Sequence, residues 1–409
     1  MIFGLKFSNY YSFYEPVEIS FEVGKKPSAS FYDISLADGC RVNKVIAVVG
    51  ANGSGKTHFL RPLAFLSWFV GSSFLETQPE DSILIQPHIL HQDSATEMEL
   101  HFLVDGDEYK YHLVVDGKKV KTEALYKKTS QQFSYIFVRE RQVDGGYSVK
   151  KKDKAFPFKT SEAEKVKANA SLLSAAYIYG IEEINAIYAV FARFSYNITV
   201  RGRVHFQHSL LNISAELFHK NELLRVQMNE IMRELDLGLH TVEIEEFQQK
   251  TPQGENELMY FPFGIHQAKD QKGSFRLPFF EESSGTQSSF VLLSRLLIIL
   301  AEGGISLIDE LDNDLHPHML PKILDLFKFE HTNPHQAQLI FSCHTPEILD
   351  ILQKHQVYLV EKKDLHSEAW RLDEVVGIRA DDNLSLNIKQ ERSAQFHIYR
   401  GRTYASHRD

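Results

Sequence analysis

Apolar and polar residues alternate from the start of the chain. Phe3, Leu5 and Phe7 fall on one face of an expected strand over residues 2–7, and residues 17–22 alternate again as its neighbour. Residues 33–43 are mostly polar and are expected as loop. Residues 45–49 form a continuous β-branched run suited to a parallel strand covered on both faces. Residues 58–70 then read as a helix, which Gly71-Ser72-Ser73 and the 79–81 stretch interrupt. Alternation returns over 97–104 and 109–115, and Asp105-Gly106 between them offers the positive φ angles of a tight hairpin. Asp116-Gly117 marks another turn, and shorter strands are expected at 124–126, 135–139 and 147–150.

From Ser161 the period lengthens. Leu172, Leu173, Ala176, Ile181, Ile184, Ile187, Val190 and Phe191 recur at helical spacing with a break near Gly180, and 213–237 reads as one further helical stretch. Neither sustains heptads long enough for an extended coiled coil. Strand character resumes at 242–247 and 258–263, followed by a helix over 288–301 and apolar strands at 305–308, 338–341 and 357–361. No internal repeat or low-complexity segment is present. The pattern predicts an α/β protein in three parts: a strand-rich lobe over 1–155, a compact helical insertion over 156–240 and a second α/β lobe over 241–409.

With 409 residues, 43% of them hydrophobic, the chain can bury a large core. A net charge of −9 gives no global attraction to nucleic acid. Lys150, Lys151, Lys152 and Lys154 form a local basic run that suits a solvated loop. Two cysteines, Cys40 and Cys343, make neither a disulfide framework nor a metal site, which fits a reducing cytoplasm. Neither a signal-peptide pattern nor an apolar run long enough for a bilayer is read: residues 291–301 are too short and include Arg295. The pairs His88 with His91 and His316 with His318 lack the Cys or acidic companions of a zinc site.

The 45–49 run leads into Gly50-Ala51-Asn52-Gly53-Ser54-Gly55-Lys56-Thr57-His58, which meets every fixed position of the phosphate-binding pattern G-x-x-x-x-G-K-[ST]. Strand, glycine loop and helix are the setting this motif requires. Glycines let successive backbone N–H groups turn inward on phosphate oxygens, and the helix start adds partial positive charge. Lys56 is expected on the β- and γ-phosphates of ATP, and the Thr57 hydroxyl on Mg²⁺. The 305–308 strand ends in Asp309-Glu310, the form of a Walker B element. Asp309 is the candidate for holding Mg²⁺ and Glu310 for polarising the attacking water. Such a strand end is common when taken alone, and the neighbouring motifs give it meaning.

Glu282-Ser283-Ser284-Gly285-Thr286-Gln287 resembles an ABC signature motif, with Thr286 in place of its second glycine; standing alone it would read as a helix N-cap. Leu311-Asp312-Asn313-Asp314-Leu315-His316-Pro317 resembles a D-loop, and Ser342-Cys343-His344-Thr345 a switch-histidine segment. Phe7-Ser8-Asn9-Tyr10-Tyr11-Ser12-Phe13 resembles the opening of ABC-type heads of the structural-maintenance-of-chromosomes, RecF and OLD group. The motifs occur in the order such a head requires, and the chain resembles the OLD-like, AAA-annotated ATPases of bacterial and phage-defence loci, similar in wording to RloA/AbiL-type and PARIS-type ATPases. The 357–361 strand and Arg379 resemble that family's tail.

This resemblance implies a P-loop NTPase fold of ABC-head type, a mixed sheet plus an antiparallel lobe. It implies a homo-oligomer in which Ser284, Gly285, Thr286 and Gln287 approach the ATP of a second subunit. His344 would sense the γ-phosphate, Asp312, Asn313 and Asp314 would form the D-loop, and either Gln86 or Gln92 would serve as the Q-loop glutamine. Only about 50 residues follow Val360, below the usual size of a domain, so no fused TOPRIM nuclease is expected. An ATP-gated sensor or scaffold for a separately encoded effector, a nuclease, in anti-phage defence follows as the implied role, with nucleic acid or a phage protein as trigger. A RecF-like DNA-repair head and a nucleotide-locked scaffold with negligible turnover are the alternatives.

Overall fold

Five strands run parallel through the centre of the computed structural model, in the order Phe194–Tyr196, Ile305–Ile308, Gln338–Cys343, Val45–Val49 and Val357–Lys363, and His366–Arg371 closes the last edge antiparallel. Every residue of Val45–Val49, Ile305–Ile308 and Gln338–Cys343 is buried, which is why these strands read as unbroken apolar runs. The structure describes residues 1–235, 238–250, 256–267, 273–313, 315, 319–344, 348 and 350–375. Asp314, His316, His318 and Arg379 lie outside them.

A seven-stranded antiparallel sheet covers one face, with the helix Lys56–Glu76 between the two sheets. Ile2–Ser8 sits next to the edge strand Val17–Ser20 in that sheet and pairs on its other side with Thr96–Val104. Asp107–Val115, Val120–Thr129, Gln132–Arg141 and Tyr147–Lys151 follow as a meander. The first hairpin turns on Asp105 and Gly106 at φ of 50° and 82°. At Asp116-Gly117 the means differ: Asp116 Oδ1 accepts from the Lys118 and Lys119 amides, and no left-handed glycine is used. Gln338 ties the two sheets, its side chain bonding both backbone groups of Ile2 and the Asn43 carbonyl.

Several elements differ from the sequence pattern. Residues 17–22 do not form one strand, because the buried Phe21 hands the chain to a different small sheet of Glu22–Val23, Arg41–Asn43 and Asp33–Ser35. The 33–43 stretch is therefore partly strand. The helix after the P-loop runs on through Gly71, Ser72 and Ser73, because its buried face, including Phe69, Val70 and Ser73, packs between the sheets and outweighs the ~1 kcal/mol cost of one glycine. Residues 213–237 hold two helices, Ser209–Lys220 and Glu222–Leu235, separated at the extended Asn221.

The stretch 156–240 does not pack as one helical body. Leu172–Ile178 and Asn185–Ala192 join the core between the sheets, with the break at Gly180 (φ 76°). Phe194–Tyr196 is the edge strand of the central sheet, and the helices after it join a second core on the opposite face. That core also takes Ser284–Glu302, Leu320–Lys328 and a small sheet of Leu239–Lys250, Asn256–Gln267 and Ser274–Pro278.

Candidate functional site

The P-loop glycines meet distinct demands. Gly50 lies against the next strand so closely that a Cβ would come 2.2 Å from the Val360 carbonyl oxygen. Gly55, at φ 111°, is pressed against Ser367 and Ser12, whose hydroxyls would be 2.5 and 2.9 Å from a Cβ. Ser367 donates to Ser12 Oγ and to the Ser54 carbonyl, so the N-terminal turn and the far sheet edge both brace the loop. Lys56 Nζ curls back to the Gly50 and Ala51 carbonyls at 2.9 and 3.1 Å and lies 3.4 Å from His344 Nδ1. Burial lowers the Lys56 pKa, while Asp309 and Glu310 oppose that shift. Gly50–Ser54 also wall an open cleft shared with Leu359, Lys362 and Trp370.

His58 faces the N-terminal turn. Its Nδ1 is 2.9 Å from Ser12 Oγ, and its ring stacks on Tyr11 at 4.6 Å. Burial, with the nearby Arg61 and Lys362 charges, lowers its pKa to about 4, so it is neutral at pH 7.

Asp309 and Thr57 meet across the intervening strand, with Thr57 Oγ1 donating to Asp309 Oδ2 at 2.8 Å. Ser342 Oγ donates to Asp309 Oδ1 at 2.5 Å and accepts the Glu310 amide at 2.7 Å. Asn197 grips the Asp309 backbone at both ends, accepting its N–H at 2.6 Å and donating to its carbonyl at 2.9 Å. Glu310 takes a left-handed φ of 54°, which turns its side chain out of strand geometry. Its carboxylate pairs with Arg203, accepts Asn313 Nδ2 at 2.9 Å and lies 3.5 Å from His344 Nε2. The His344 amide donates to Asp312 Oδ2 at 2.8 Å, joining the turn after Glu310 to the end of the 338–343 strand.

Lys56, Thr57, Asp309, Glu310, His344, Asp312 and Asn313 thus converge. The oxygens of Thr57 and Asp309 suit a hard divalent cation that retains waters. The loop's backbone, with Lys56 and a buried Ser54 hydroxyl that has no hydrogen-bond partner among the described residues, suits phosphate.

At the signature segment, Ser283 caps the helix by accepting the Thr286 amide at 3.1 Å, and Ser284 is its exposed first residue. Thr286 and Gln287 are buried; Gln287 Nε2 donates to the Glu282 carbonyl at 2.8 Å, and Thr286 Oγ1 is 2.8 Å from Ser283 Oγ, so both shape the turn. The helix runs over Ser284–Glu302, longer than its apolar run. It is apolar and long enough to cross a membrane, yet most of it is buried inside the molecule, as in a core helix. Gln86 and Gln92 bond locally to the Pro87 and Ile89 carbonyls, and only the Gln86 backbone touches Tyr11. His88 stacks on His366 and His91 on Tyr14; among the described residues no group of His, Cys, Asp and Glu is arranged for a metal ion.

Asn197, Arg203, Ser342 and Ser367 were not singled out by sequence. Only Ser342 carried a signal, as a neighbour of His344; the others reach the site from outside every motif.

Solved structures, among them the following, are similar at low identity. The "Crystal structure of the SmcHead bound to the C-winged helix domain of ScpA" is 14% identical, covering 92% of this chain and 99% of that one with a TM-score of 0.47. The "SMC head domain from Thermotoga maritima" is 13% identical over 90% and 98% of the two chains, with a TM-score of 0.43. An Smc head from Pyrococcus furiosus with an extended coiled coil, bound to the C-terminal domain of ScpA, is 14% identical over 96% and 99%, with a TM-score of 0.41. No curated protein matches the sequence. A family model does match, over residues 45–350, the span that holds the P-loop, Walker B and switch-histidine strands. The chain belongs to that family, described as "AAA domain, putative AbiEii toxin, Type IV TA system", and its fold is that of a P-loop NTPase of ABC-head type.

Proposed function

We propose that the protein is an ATPase whose heads pair around ATP and Mg²⁺, and that it acts as an ATP-gated sensor or scaffold for a separately encoded effector, a nuclease, in anti-phage defence. The observation that carries the enzymatic part is the Thr57–Asp309 contact beside Glu310, His344 and Lys56. Lys56 would bind the β- and γ-phosphates, and Thr57 and Asp309 would hold the metal, which neutralises phosphate charge when bound. Glu310 would take a proton as a water oxygen bonds to the γ-phosphorus and the bond to the β–γ bridging oxygen breaks, releasing ADP and phosphate. His344 would orient that water. Ser284, exposed at its helix start, would reach the γ-phosphate of a second copy.

The family description, with its toxin and type IV toxin–antitoxin system, supports a defence role, as does the OLD-like motif wording. The test is size by light scattering for wild type and Glu310→Gln, with and without ATP-Mg²⁺, alongside phosphate release. ATP-dependent assembly, trapped by a variant that no longer hydrolyses, is the expected result. An assembly state indifferent to ATP would overturn the gating.

A further inference from the structure

Glu310 is assigned the proton in the mechanism above, yet donors of its own chain already hold its carboxylate. Oε2 takes both the Arg203 guanidinium and Asn313 Nδ2, and Oε1 faces His344 Nε2 at 3.5 Å. A carboxylate oxygen offers about two lone-pair directions, and on Oε2 both are taken. The guanidinium bond is charge-assisted, the stronger class. It is also partly sheltered, with side-chain exposures of 14% for Arg203 and 29% for Glu310, so salt screens it less than a surface pair.

Arg203 ends a small hairpin in which Ile198 pairs with Arg203 and Thr199 with Gly202. The hairpin is rooted at Asn197, the residue that grips Asp309. Its far end rests on the P-loop helix. Gly202, at φ 122°, sits so close to Arg61 that a Cβ would be 2.6 Å from Nη2. The Arg61 guanidinium lies 4.4 Å from the centre of the Tyr11 ring, which stacks on His58, the residue after Thr57. One short hairpin therefore touches the Walker B turn, the catalytic carboxylate and the helix that begins at the phosphate loop.

We propose that Arg203 is a positioning residue for hydrolysis: it latches Glu310 against the hairpin, and Glu310 accepts a proton from water only when the guanidinium lets go. The latch rests on the ATPase reading, and the hairpin sets the turnover rate. The experiment is phosphate release by the full chain for wild type, Arg203→Ala, Arg203→Lys, Gly202→Ala and the double variant Arg203→Ala/Glu310→Gln, each with its melting temperature. Arg203→Ala is expected to raise kcat roughly fivefold to thirtyfold, the population ratio that one such contact controls, with KM for ATP unchanged. Lysine, a point charge without the planar fork, should fall between the two. Gly202→Ala keeps Arg203 but strains the hairpin at a φ of 122° and crowds the end of the Arg61 side chain, so it should loosen the latch and raise kcat even if Arg203→Ala folds poorly. The double variant should be inactive.

Turnover at or below wild type in both Arg203→Ala and Gly202→Ala would overturn the latch while leaving the ATPase reading standing. A gain that survives in the double variant would also overturn it, because the gain would not pass through Glu310. Phosphate release by none of the chains would overturn both readings.

Discussion

Replacing Asn197 by alanine tests whether the Walker B turn is held from outside its own motif. Asp309 is 1% exposed, and its amide and carbonyl both bond to the Asn197 side chain, at 2.6 and 2.9 Å. Truncation leaves two buried backbone groups without partners. Each costs about 1–3 kcal/mol when it stays dry, so the loss is roughly 2–6 kcal/mol, and about half of that if water reaches one of them. The carboxylate of Asp309 would also lose its fixed aim at Thr57, so ATP-Mg²⁺ affinity should fall together with stability. Urea unfolding followed by fluorescence of Trp68 and Trp370 reads the first effect, and nucleotide titration the second. Asn197→Asp separates hydrogen bonding from volume: it keeps an acceptor for the amide but turns a carboxylate oxygen toward the Asp309 carbonyl, and should be no better than alanine. Agreement of Asn197→Ala with wild type within about 0.5 kcal/mol, the range of ordinary surface substitutions, would refute the reasoning.

Gly50→Ala should cost roughly 1–3 kcal/mol by overpacking, because its Cβ meets the Val360 backbone and not a movable side chain; a lowered melting temperature with loss of nucleotide binding checks it. His58 has a folded pKa lowered to about 4, below its ordinary 6.5, so the unfolded chain binds the extra proton in that window. Its contribution to stability is complete above pH 6.5 and is lost as pH falls toward 4, and His58→Asn should flatten the pH dependence of unfolding over that range. Glu123 is fully buried, lies 3.6 Å from the buried Arg139 and accepts the Leu172 and Leu173 amides and the Tyr111 and Ser171 hydroxyls. Glu123→Ala should destabilise by about 3–5 kcal/mol in urea unfolding, the cost of stranding a buried guanidinium, and a change below 1 kcal/mol would mean that Arg139 finds enough partners in the carbonyls of Val166, Lys167 and Ala170.

What sequence reveals here follows the range of the interaction. The P-loop, Asp309-Glu310 and the Asp105-Gly106 hairpin are local: a positive φ, a strand ending in acids and a glycine turn are dictated by residues within a few positions of one another. The strand Phe194–Tyr196 is different. It has three half-buried residues, too few for a period to show, and becomes a strand only because Ile305–Leu307 offers it a parallel partner. The divided 156–240 stretch is hidden for the same reason, since helical spacing marks an apolar face without saying which core receives it.

The site repeats this division at the scale of single side chains. Thr57, Asp309, Glu310 and His344, the residues proposed to carry the chemistry, are legible as motifs. Asn197 and Arg203 have no motif, because a residue that orients another need only arrive at the right place by any route through the fold. Both arrive on the same hairpin, one gripping the backbone of Asp309 and the other the carboxylate of Glu310. A left-handed φ at Glu310 stores strain that neighbours must offset, and Ser342, Asn313 and this hairpin are the neighbours in place. The two acids are adjacent in sequence but held by different residues of the hairpin, so on the proposed roles loss of Asn197 is expected in nucleotide affinity and stability, and loss of Arg203 in rate alone.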